Sequence, residues 1–228
     1  MIVRNKETCR EDLIERILTL EIEPGAVLDE ALLSEEYSLS RTPLREVFQK
    51  LAGEGYLTLA KNRGAKVSSM DINSMRNFFQ AAPMIYAAVA RLAAENARSE
   101  QVSDLKEIQH QFRIACEEKA TRSIVMQNHN FHELIGRMAG NPYLTPSLNR
   151  LLIDHSRLSQ KFYNPINSKE RMLVWTACDQ HDAMIEAIEN GDPAAIVDLT
   201  LEHWALSRDE IDKYARPDPL DINLGKTG

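Results

Sequence analysis

The 228 residues, 43% of them hydrophobic with only 9 glycines and 9 prolines, suffice for two domains and read as globular and helix-rich. A net charge of −7 excludes a protein that coats nucleic acid nonspecifically. No segment reaches the roughly 18 uninterrupted apolar residues that span a bilayer, and the opening MIVRNKETCREDLIER turns charged before an apolar stretch develops, so neither insertion nor export is expected. Cys9, Cys116 and Cys178, odd in number and without CxxC spacing, read as reduced thiols of a cytoplasmic protein.

In chain order, Leu13, Ile14, Ile17 and Leu18 mark a first helix, Pro24-Gly25 a turn, and Leu28, Leu32 and Leu33 a short second helix. The next tract, SRTPLREVFQKLAGEGYLTLAKNRGAKV, is the most informative. Leu44, Val47, Phe48 and Leu51 recur at i, i+3, i+4 and i+7, leaving Arg41, Arg45 and Lys50 off the stripe. Ser40 or Thr42 is expected to cap this helix, Pro43 falls in its first turn, and Gly53 and Gly55 end it. YLTLA, the turn Asn62-Arg63-Gly64 and a return strand with Ala65 and Val67 then form a hairpin. A cationic helix joined to a basic-tipped hairpin is a winged helix-turn-helix, a reader of double-stranded DNA. Between Tyr37 and Met70, six cations (Arg41, Arg45, Lys50, Lys61, Arg63 and Lys66) stand against Glu46 and Glu54, a local balance of +4.

Near residues 68 to 74 hairpin chemistry gives way to helical periodicity, placing a DNA-binding domain at 1–70 and an all-α domain at 71–213. Met75, Phe78, Phe79, Ala82, Tyr86, Val89, Leu92 and Ala93 follow one stripe to about residue 97, with a kink expected at Pro83. Further helices are predicted at 101–118, 121–139, 143–162, 169–190 and 193–213, making a six-helix bundle. Residues 214–228, with Pro217, Pro219 and Gly225, lack periodicity and are expected to be disordered.

Histidines carry the second signal. Asn128 and His132 lie on the inward stripe of Val125, Ile135 and Ala139; His181 falls with Met184, Ile185 and Ile188, and His203 with Ile196, Leu199 and Leu206. His155 also points inward, His129 sits at the edge of its stripe, and His110 is off its own. One inward histidine is ordinarily a hydrogen-bonded core residue. Three from separate helices admit a divalent ion, which resolves the cost of burying imidazoles side by side.

The run IEPGAVLDEALLSEEYSLSRTPLREVFQKLAGEGYLTLAKNRGAKV resembles the amino-terminal domain of GntR-type bacterial transcription regulators. That resemblance implies that Arg41, Thr42, Arg45, Lys50, Lys61 and Arg63 contact DNA and that Gly64 lets the wing tip approach the minor groove. Residues 71–213 are similar to the FCD effector-binding domain of the FadR subfamily, in its six-helix VanR-like branch, on the tracts NHNFHELIGRMAGNP and QHDAMIEAIENGDPAAIVDLTLEHW. It implies a divalent metal, zinc or nickel, held by His132, His181 and His203, with Asn128 where the family has aspartate, and a carboxylate effector at its open positions. Neutral Asn128 removes one negative charge and weakens the hold on a hard cation. Ala82 and Tyr86 stand near the places where the family often has arginine and glutamate. Tyr86 and His155 are taken as effector-pocket residues; neither spacing nor motif singles out Arg137 or Arg157.

These features predict a homodimeric regulator, binding a palindromic operator and controlled by a small metabolite at a metal-containing pocket. The other readings are a metal-responsive sensor and a metal-dependent enzyme, although HExxH, a phosphate-cradling glycine loop and a G-x-S-x-G elbow are all absent.

Overall fold

The computed structural model describes residues 5–60 and 64–206. In the first domain α1 (Lys6–Leu18), α2 (Glu30–Tyr37) and α3 (Arg41–Gly53) pack against a three-stranded sheet of β1 (Val27–Leu28), β2 (Leu57–Ala60) and β3 (Gly64–Val67), ordered β1-β3-β2 and antiparallel throughout. α1 starts at a capping box: the Asn5 side chain accepts from the Glu7 and Thr8 amides at 2.9 and 3.0 Å, and Thr8 Oγ1 accepts from the Asn5 amide. Its face of Cys9, Leu13 and Ile17 meets Leu44, Val47, Phe48 and Leu51 of α3 in one core, so Phe48→Ala would cost about 3–5 kcal/mol.

Three local expectations are corrected. Leu28 belongs to strand β1, opposite Ala65, and α2 begins only after Asp29, whose carboxylate caps the Ala31 and Leu32 amides; Leu32 is exposed. Two residues are too few to leave an alternating pattern. Ser40 is the N-cap of α3, but neither its hydroxyl nor that of Thr42 closes on the first-turn amides. Gly53 remains inside the helix, and only Gly55, at φ +92°, takes the left-handed position: the Gly55 amide bonds Ala52 O and the Tyr56 amide bonds Leu51 O, a Schellman ending.

A short linker leads to α4 (Ile72–Asn96), followed by α5 (Ser99–Glu118), α6 (Thr121–Ala139), α7 (Thr145–Phe162), α8 (Ser168–Glu189) and α9 (Pro193–Leu206). These six helices form the all-α bundle; α4 stays helical through Pro83 and packs on α6, α7 and α9, while α5 packs on α6 and α8. Gly136 lets α6 approach α7, since a Cβ there would run into Leu148. The predicted end of the last helix, residues 207–213, and the tail 214–228 lie outside the described residues.

Candidate DNA interface and candidate metal centre

The apolar stripe of α3 is buried, which turns Arg41, Thr42, Arg45 and Lys50 out to solvent. Arg45 lies against Glu30 of α2, its Nε at 3.1 Å and Nη2 at 3.0 Å from Oε2, with 61% of its side chain exposed. Lys50 lies 3.8 Å from Glu7, and Arg41 has no side-chain partner among the described residues. Exposed pairs of this kind contribute about 0–1 kcal/mol, so a phosphate replaces a carboxylate at little cost. The uncapped first turn adds free amide donors beside Arg41 and Thr42, and helix N-termini attract anions. Gly64, exposed at φ +75°, opens β3. Lys61 and Arg63 lie outside the described residues.

The second site is built inside the bundle. His132 of α6, His181 of α8 and His203 of α9 are buried, and one ring nitrogen from each falls within 4.8 Å of the others. Burial, and then the neighbouring histidines, hold His132 and His181 well below the usual imidazole range; burial takes His203 down to about 4. All three are therefore neutral at physiological pH and offer a lone pair.

Supporting groups choose which nitrogen offers it. Gln109 of α5 donates from Nε2 to the Cys178 carbonyl at 2.8 Å, which leaves its Oε1 as acceptor for His181 Nδ1–H at 3.1 Å. His181 Nε2 is thereby the free base. Gln180 Oε1 stands 3.0 Å from His203 Nδ1 and acts in the same way. Nε2 of His132 and of His181 are buried without a hydrogen-bond partner among the described residues. Buried polar atoms ordinarily have partners, so orphaned nitrogens converging from two helices fit a metal site.

Asn128, one turn before His132, is buried as expected, but its carbonyl oxygen accepts the Tyr163 hydroxyl at 3.0 Å and its Nδ2 is the unpartnered atom. Turning the amide over keeps a bond to Tyr163 and presents oxygen in place of nitrogen, the orientation a metal ligand needs.

His155 and Tyr86 adjoin this cluster. Tyr86 O and His155 Nδ1 are 2.8 Å apart, and the Tyr86 ring stands edge-on to His132, His155 and Trp204. His155 is pushed down to about 3 by burial, then by His203 and His129. Beside it is a cavity of about 40 Å³, bounded by Phe78, His155, Phe162, Tyr163, His203 and Trp204 among others. Tyr86 supports His155 without lining that space. The volume suits one or two water-sized groups, so a larger ligand enters only if the helices part. His110 is exposed, and His129 is buried with Nδ1 2.9 Å from Ser156 Oγ.

Arg157, passed over by spacing and motif, joins the two domains. Its fully buried guanidinium donates from Nη1 to the Ser68 carbonyl at 3.1 Å and to Asp154 Oδ1 at 3.2 Å, and from Nη2 to Ser68 Oγ at 3.2 Å. Ser68 in turn donates through both its amide and hydroxyl to Tyr56 O. Two turns earlier on α7, Arg150 lies over Gly55, where a Cβ would meet its side chain, and pairs with Asp154 at 3.1 Å. α7 thus carries His155 between two residues that grip the end of α3 and the interdomain linker. Gln109 was discoverable, being a polar residue on the stripe of Leu105, Phe112 and Cys116; nothing local in the sequence marks Arg157.

Residues 78–206, more than half of the chain, match the FCD domain family, and residues 5–67 match the family of bacterial regulatory proteins, gntR family. The chain belongs to the GntR family of bacterial transcription regulators. It is 29% identical over 194 residues, 85% of this chain and 81% of the relative, to the HTH-type transcriptional repressor RspR of Escherichia coli K12. It is also 29% identical over 191 residues, 79% of this chain and 74% of the relative, to the gluconate operon transcriptional repressor of Bacillus licheniformis. Its fold is similar to that of E. coli McbR/YncC, with a TM-score of 0.76 at 18% identity over 92% of this chain and 98% of the other. This GntR regulator is a DNA-binding protein and not an enzyme, and no helix among its described residues is long and apolar enough to cross a membrane.

Proposed function

We propose that this regulator binds a palindromic operator as a homodimer and responds to a small carboxylate at a divalent metal held by His132, His181 and His203, with Asn128 as an oxygen donor. The observation that carries this reading is the meeting of three neutral, buried imidazoles, two of whose Nε2 atoms have no other partner among the described residues. A zinc or nickel ion there would supply a concentrated positive charge for an anion in a nearly dry pocket. The protein's own part is to fix tautomers through Gln109 and Gln180 and to keep all three rings neutral.

α7 is the element that relays occupancy to the DNA-binding domain. A ligand that moves His155 or Tyr86 moves the turn bearing Asp154 and Arg157, and with it the hold on Ser68. Effector and operator then favour different orientations of the winged helices, which is a coupling between sites. On the DNA side, Arg41 and Arg45 are suited to phosphates and guanine edges, Thr42 and Lys50 to phosphates, and Lys61, Arg63 and Gly64 to the wing's approach to the minor groove.

The small cavity favours a second reading, in which the ion itself is the signal. Mobility shifts on the upstream region of the adjacent operon separate the two: operator affinity that follows zinc alone supports the sensor, and affinity that changes only on adding a carboxylate to zinc-loaded protein supports the metabolite reading. Gluconate, for which the operon of a relative is named, is the first probe.

A further inference from the structure

Beside the histidine cluster, α5 and α8 bring Cys116 and Cys178 to a separation of 3.5 Å between sulfurs, 62 positions apart in sequence. Cys178 is fully buried, whereas Cys116 keeps 7% of its surface exposed. The Cys178 S–H donates to the Cys116 sulfur. That bond, helped by the Arg113 charge, holds the Cys116 thiol below its usual range despite burial, and pushes the Cys178 thiol up. Arg113 is itself held by α8, donating from Nη2 to Asp179 at 2.7 Å and from Nε to Asp182 at 2.9 Å. Cys9 offers a contrast: it is wholly buried, has no thiol neighbour, and is pushed up to about 11 by burial and then by Asp12 and Glu36.

We propose that Cys116 and Cys178 form a peroxide-reactive dithiol site that closes to a disulfide linking α5 to α8. The Cys116 thiolate attacks an oxygen of a hydroperoxide; the O–O bond breaks, the leaving oxygen departs as water or alcohol with a proton, and Cys116 becomes a sulfenic acid. Cys178 loses its proton and attacks the Cys116 sulfur; the S–O bond breaks, the oxygen leaves as water, and the S–S bond forms. Two thiols are oxidised for each peroxide reduced. Cys116, the less deeply buried and the acidified sulfur, is the one a peroxide reaches, and the fully buried Cys178 is placed to resolve it. Closing the pair to about 2.05 Å draws the two helices or their side chains together. Gln109, which donates to the Cys178 carbonyl and accepts from His181, lies directly in that movement. On the metal reading above, on which this consequence rests, oxidation disturbs the group that orients His181.

The test treats the native full chain with hydrogen peroxide, counts thiols and maps peptides without reduction. Two of the three thiols are expected to disappear into a Cys116–Cys178 disulfide that a reductant reverses, with Cys9 untouched. Cys178→Ser should leave Cys116 as a sulfenic acid captured by dimedone, and Cys116→Ser should leave Cys178 unmodified at the same dose. Thiols that all persist until the chain is unfolded, or a Cys9 that reacts as fast as Cys116, would overturn the proposal. Zinc affinity should fall roughly 10- to 100-fold in the oxidised protein. Equal affinity in both forms would remove the link to His181 while the disulfide site stands, and no zinc binding in either form would count against the metal reading alone.

Discussion

Arg45 on α3 keeps 61% of its side chain in water against a single carboxylate, whereas His181 in the bundle is buried from all sides and has a nitrogen with no partner among the described residues. The first residue is ready for DNA because water keeps its present partner cheap to exchange. The second suits the proposed ion because burial keeps it uncharged and its lone pair unspent. The same difference explains how each region supports the fold. The cations of α3 contribute little to stability and, on the proposed reading, serve association, while every imidazole in the cluster is bound up with packing. Arg157 lies between these extremes, a buried charge whose partners come from both domains.

The sharpest break in the comparison comes from the surface side. Arg41→Ala with Arg45→Ala should leave thermal stability nearly unchanged and weaken operator binding by about 2–6 kcal/mol, a loss of at least roughly 30-fold in fluorescence anisotropy titrations. Stability lost in step with affinity would mean that these arginines serve the fold. Arg157→Met should do the reverse first, lowering unfolding free energy by about 3–5 kcal/mol because Asp154 is left buried beside Arg150 alone. Chemical denaturation measures it. A loss below about 1 kcal/mol would show that the clamp is not formed in solution.

Acidification probes the interior. In the unfolded chain these imidazoles take up a proton near pH 6.5, whereas in the fold His203 resists until about 4 and His155 until about 3. Below pH 6.5 the unfolded state therefore binds more protons, so the stability is fully present above 6.5 and is lost as pH falls toward 4. His203 alone accounts for on the order of 3 kcal/mol over that window, roughly 10 °C in the Tm of metal-free protein. A flat Tm between pH 7 and 5 would show that the rings are hydrated. The smallest effect expected is on metal: Gln109→Ala should reduce zinc affinity about 10- to 100-fold by freeing the His181 tautomer, with secondary structure intact by circular dichroism.

How far each region was legible in the sequence follows from the range of its interactions. The predicted helices 121–139 and 101–118 match α6 and α5 to within two residues, because turns, caps and 3.6-residue stripes are local signals. His132, His181 and His203 were visible as polar members of apolar stripes. Leu28 was misplaced because a two-residue strand depends on Ala65 across the sheet rather than on its neighbours. The Asn128 side chain stood on the expected face, yet its oxygen is engaged by Tyr163, 35 positions away. Arg157 was missed for the same reason, since Ser68 lies 89 positions away and no periodicity encodes that bond.

The measurement that bears most directly on the link between the two regions is operator affinity as a function of added gluconate or another small carboxylate. It should be made on zinc-loaded protein and on a variant with His132, His181 and His203 all replaced by alanine. A shift of about 5- to 150-fold is expected in the native chain and none in the variant, which should still bind operator. An equal shift in the variant would contradict control from the histidine cluster.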